Sequence, residues 1–168
     1  MKPTIIAKNH LHLVEIIEKE LNLNGYLCDL NHIDVSNVKR MNGLFANVPF
    51  EGDISEWDVS KVVDMSYMFY GSPFNIDISR WDVSNVKDMN GMFKSSYFNQ
   101  DLSKWNVSNV ETMVGIFSNC KKELIIPYWA NYEDNERKKA VNNYFLKNEL
   151  EKNLPNKNEQ NIIKKTKI

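Results

Sequence analysis

The sequence predicts an α/β repeat solenoid, a leucine-rich-repeat stack of four 24-residue coils with parallel β-strands, short helical turns and helical caps at both ends. Three observations carry this. The chain repeats without a gap every 24 residues, over 29–52, 53–76, 77–100 and 101–124. Apolar residues recur at fixed columns of that period. No single period can bury its own tryptophan, methionine and phenylalanine side chains, so stability has to come from neighbouring periods.

The first 28 residues form the expected N-terminal helical cap. Within it, 9–21 places Leu11, Leu13, Val14, Ile16, Ile17 and Leu21 among Glu15, Glu18, Lys19 and Glu20, an amphipathic helix that Asn24-Gly25 ends. The array follows over 29–129, with a partial fifth period at 125–129 in which Ile126 and Trp129 fall on the established columns. Column by column it reads Asp29, Asp53, Asp77, Asp101, then Leu30, Ile54, Ile78, Leu102, then Ile33, Trp57, Trp81, Trp105. Valine, methionine and phenylalanine columns complete the expected core, Phe45, Phe69, Phe93 and Phe117 among them. Ile54-x-x-Trp57-x-Val59 has the spacing of a short leucine-rich-repeat strand, with Trp57 and Val59 inward and Glu56 and Asp58 outward. Val62, Met65 and Phe69 then follow at helical spacing after Ser60, a residue able to cap a first turn. A C-terminal capping helix is expected over 130–154, with Ala140, Val141, Tyr144, Phe145 and Leu150 on its apolar stripe, and a flexible basic tail over 155–168.

The composition narrows the function. Lys and Arg total 21 against 22 Asp and Glu, a net charge of −1, so no global field holds nucleic acid or an anionic membrane. Charge is nevertheless uneven: 29–124 carries 13 acidic and 9 basic side chains, and 125–168 carries 6 acidic and 9 basic. Two cysteines, Cys28 and Cys120, four periods apart, point to free thiols rather than a disulfide framework or a zinc site. The run Ile5-Ile6-Ala7 is too short for the apolar core of a signal peptide, and a cytoplasmic location is expected.

No catalytic, cofactor or metal site is expected. Ser36, Ser60, Ser84 and Ser108 recur as caps, with no histidine recurring beside them. His10 and His12 sit two apart on a helix and share no face. Trp57, Trp81, Trp105 and Trp129 alternate with the valine column and read as core rather than as a stacking platform for sugars or bases. The outward strand residues form two neighbouring ladders, His32, Glu56, Arg80, Lys104 and Asp34, Asp58, Asp82, Asn106. These eight are the candidate partner-binding residues, and the aspartates among them either close local turns or present a negative strip to a basic partner.

Asp-Ile-Ser-Glu-Trp-Asp-Val-Ser-Lys-Val-Val-Asp-Met-Ser-Tyr-Met-Phe, residues 53–69, and its copies resemble the BspA-type leucine-rich-repeat family over 29 to about 129. Short solitary members of that family resemble immunity proteins of contact-dependent growth inhibition systems. The resemblance implies a cytoplasmic, non-enzymatic monomer forming a 1:1 heterodimer with a cognate protein toxin, a basic nuclease domain, whose active site it occludes. It implies no cofactor, no direct nucleic-acid contact and no membrane contact. The family's larger members imply an alternative, a surface adhesin contacting host or cell-surface partners.

Overall fold

The computed structural model describes residues 4–120 and 126–131, with 136, 139, 140, 142, 143, 146 and 147. Asn9 stands in extended backbone, and its side-chain oxygen accepts the His12 N–H at 3.0 Å, closing the first turn of α1, His10–Asn24. Gly25, at φ 77°, ends the helix with its N–H on Leu21 O. Leu13, Ile16 and Ile17 are the buried face of α1, while Leu11 and Leu23 are exposed. The only two strands among the described residues are β1, Ile5–Ile6, and β2, Ile33–Asp34, paired in parallel with Ile5 beside Ile33 and Ile6 beside Asp34.

The expected fold class is corrected by this element list. Within the periods, 29–120, the described residues form no helix and only one two-residue strand, Ile33–Asp34, and a 3-10 turn follows at Tyr128–Asn131, so the predicted leucine-rich-repeat stack of four strand-and-helix coils is not formed. The segments expected to be strands cannot extend, because their N–H groups are satisfied locally. Asp53 accepts from Ser55 N–H, Asp58 accepts from Ser60 N–H, and Trp57 N–H bonds Ile54 O. The segments expected to be helical are interrupted by left-handed residues four apart: Gly43 and Asn47, Tyr67 and Gly71, Gly91 and Ser95, Gly115 and Asn119, all at φ between 56° and 65°. The serines taken as helix caps donate their backbone N–H to the aspartate or asparagine two residues earlier, and no helix follows them. The predicted cap at 130–154 lies largely outside the described residues, but those described from 136 onward, 136, 139, 140, 142, 143, 146 and 147, are helical; the tail at 155–168 lies wholly outside them.

Turns tied together at the 24-residue spacing are what the periodicity encodes. In 41–48 the N–H groups of Leu44, Ala46 and Val48 close turns on Met41, Gly43 and Phe45 carbonyls. The alternate N–H groups, of Met41, Gly43, Phe45 and Asn47, reach the carbonyls of Asp64, Ser66, Met68 and Tyr70 in the next period. The same alternation joins 65–71 to 88–94 and 89–95 to 112–118, and isolated parallel bridges run Arg40 to Asp64 to Asp88 to Thr112. Tyr67 stands where the other periods carry glycine, and its ring lies over Gly91, where a Cβ would come within 2.6 Å of it.

The core follows the same spacing. Phe45, Phe69, Phe93 and Phe117 stack ring on ring at 5.6–5.8 Å, and Phe50, Phe74 and Phe98 form a second ladder at 6.0–6.3 Å. All four tryptophans are buried. Trp57, Trp105 and Trp129 donate their indole N–H to Leu30, Ile78 and Leu102 carbonyls, whereas that of Trp81 is buried without a partner. Both cysteines are free thiols.

Candidate functional site

The ladder face is built from a local motif repeated along the chain, an aspartate followed two residues later by serine or asparagine. Asp34, Asp58 and Asp82 accept the N–H groups of Ser36, Ser60 and Ser84 at 2.9–3.0 Å. Asp29, Asp53, Asp77 and Asp101 do the same for Asn31, Ser55, Ser79 and Ser103 at 2.8 Å. Asn106 takes the place of the fourth aspartate and still accepts from Ser108, with N–H at 3.2 Å and hydroxyl at 2.7 Å. An amide oxygen therefore closes the turn without a charge.

The predicted residues divide between outward and inward positions. Glu56, Asp58, Arg80, Asp82 and Lys104 are exposed, and Asp34 and Asn106 are half-buried. His32 leaves the group: its side chain is 10% exposed and turns to α1, with Nε2 3.6 Å from Glu20 Oε2. The lone histidine of the ladder lies beside α1, which the repeat does not include.

The turns hold five of these carboxylates in their charged form. The Ser36 hydroxyl, then its N–H, hold Asp34 below the usual carboxylate range; Ser60 does this for Asp58 and Ser103 for Asp101, in the same order. For Asp77 the Ser79 N–H leads, helped by Arg80 and Lys104. At Asp53 burial pushes upward, but the Ser55 N–H and hydroxyl together with Asn31 outweigh it. Because folding lowers these values, their contribution to stability is complete above the unfolded carboxylate value and is lost as pH falls through the depressed folded ones. Urea unfolding is therefore expected to give a stability level above about pH 5 that declines below about pH 4. A stability that rises on acidification through this range would contradict the turn assignment.

Among the described residues no cluster of histidine, cysteine, aspartate and glutamate converges to hold a metal ion. No helix among them is long and apolar enough to cross a membrane.

A family model described as Mycoplasma protein of unknown function, DUF285, matches residues 16–129. The chain belongs to the DUF285 family. The DUF285 match takes in most of α1, every 24-residue period and Trp129, and so contains all eight ladder residues. No curated protein and no solved structure matches this DUF285 chain.

Proposed function

We propose that this DUF285 chain is a non-enzymatic binding module that docks one protein partner on the face carrying Glu56, Asp58, Arg80, Asp82 and Lys104. The observation that supports this reading is the set of carboxylates fixed by their own Asx turns. Side chains already ordered in the free protein lose little conformational entropy on docking, which is where rotamer-rich surfaces lose affinity. Neighbouring carboxylates also repel, as Asp58 does Asp34, and a basic partner relieves that repulsion. The resemblance to short immunity proteins makes the partner a toxin domain with a positive nuclease cleft, met in the cytoplasm and blocked by occlusion in a 1:1 complex. An interface of about 1,600 Å² would be sufficient for tight inhibition.

Asn106 shows how to test the charge without the turn. Asp58→Asn with Asp82→Asn is expected to keep cooperative unfolding, with a midpoint lowered only by the loss of the charge-assisted bond at Asp58. The same pair is expected to weaken binding to the product of the adjacent gene, co-expressed and co-purified, by about tenfold or more, chiefly through the on-rate. Unchanged affinity in the double variant would make the aspartates turn-formers only.

A further inference from the structure

Away from the acidic ladders, the start of α1 and the 37–40 segment enclose a cleft of about 360 Å³ lined by Lys8, Asn9, His10, Asn37, Lys39 and Arg40. His10 Nδ1 lies 3.2 Å from Arg40 O and ties the two walls together. The fixed polar groups of this cleft offer donors. The side-chain oxygen of Asn9 is engaged by His12 N–H and that of Asn37 by Lys61 Nζ at 3.3 Å, so each amide has its NH₂ left. Among the described residues, the backbone N–H groups of His10 and Leu11, in the first turn of α1, have no protein acceptor. Lys8, Lys39 and Arg40 are exposed cations with no carboxylate within ion-pair distance among the described residues, in contrast to Lys87, which pairs with Glu111 at 3.0 Å.

Three like charges around one cleft repel one another, and the walls supply no carboxylate to offset them. An anion rich in acceptor oxygens supplies both missing features, and a phosphate group matches them better than a carboxylate because it adds an oxygen and a second charge. We propose that this cleft binds a small phosphate-bearing molecule, the phosphate seated between the Lys8, Lys39 and Arg40 side chains at the head of α1.

The test is a titration of the full chain with inorganic phosphate and with pyrophosphate at constant ionic strength, followed by amide chemical shifts and calorimetry. Saturable binding with shifts centred on 8–11 and 37–40 is expected, weakened at least about tenfold by Lys39→Glu with Arg40→Glu and unaltered by Lys87→Gln. If that double charge reversal unfolds the chain, Lys8→Gln with Lys39→Gln serves in its place, with the same direction expected. Shifts that never saturate, or that chloride at matched ionic strength reproduces, would overturn the proposal. So would binding indifferent to the variants. A chain that adsorbs to anionic phospholipid vesicles through these cations, yet takes up neither free phosphate nor pyrophosphate, would overturn it in favour of a lipid surface.

Discussion

Replacing Phe69 with alanine is expected to cost about 3–5 kcal/mol of stability, read as a lower urea midpoint at unchanged slope. The ring is fully buried and lies within 5.8 Å of Phe45, 5.6 Å of Phe93 and 4.3 Å of Phe74, with Trp81 at 6.4 Å. Its removal opens a void that two ladders must both collapse into, and backbone tied at the 24-residue spacing on either side limits that collapse. Phe117 has a stacked neighbour in Phe93 but is only half-buried, so its truncation should cost clearly less. Equal effects at the two positions, or a loss below about 1 kcal/mol at Phe69, would mean that the rings are not packed as described.

Gly52→Ala is expected to be nearly as damaging, at about 3 kcal/mol. Gly52 is buried where the 26–28 segment crosses the first period. An added Cβ would press on the Cys28 carbonyl oxygen and come within 2.7 Å of the Phe50 ring. Backbone cannot yield as a side-chain tip can, so the strain must be relieved by displacing 26–28, next to the bond from Glu51 N–H to Tyr26 O. That segment carries α1 to its place, and loss of the helix signal in far-ultraviolet circular dichroism at lower urea than in the parent is the expected sign. A variant as stable as the parent would show that the crossing is looser than its geometry implies.

The inside of the molecule was legible in the sequence to a degree that its local structure was not. Recurring columns place Ile54, Ile78 and Leu102, the tryptophans, and Phe45, Phe69, Phe93 and Phe117 inside; all are buried except Phe117, which is half-buried. The conformation of each segment departs from its sequence pattern because two signals share the same residues. Ile54-x-x-Trp57-x-Val59 has strand spacing, but Asp53-x-Ser55 and Asp58-x-Ser60, interleaved with it, divert the backbone into Asx turns. Likewise, Val62, Met65 and Phe69 have helical spacing, while Gly43, Gly91 and Gly115 in one column, with Asn47, Gly71, Ser95 and Asn119 four residues on, carry the competing turn signal. On the candidate face, alternation placed Glu56, Asp58, Arg80, Asp82 and Lys104 outside, as they are. His32 was misplaced because its neighbour, Glu20, belongs to α1 and not to the repeat. The basic cleft was invisible to a search along columns, since it joins residues 8–10 to residues 37–40, only the second of which are periodic.

The alternation of amides along 41–48, half closing turns at home and half reaching the next period, gives the chain a parity as well as a length. One residue gained or lost inside such a stretch would hand every downstream amide the other's partner, and the mismatch would pass to the neighbour on each side. Two residues would restore the phase but displace the left-handed positions. The stretches beyond Ser72 and Ser96 are bound to the same spacing by Phe74 on Phe98 and Asn75 on Asn99, so whole 24-residue copies preserve every pairing where small insertions would not.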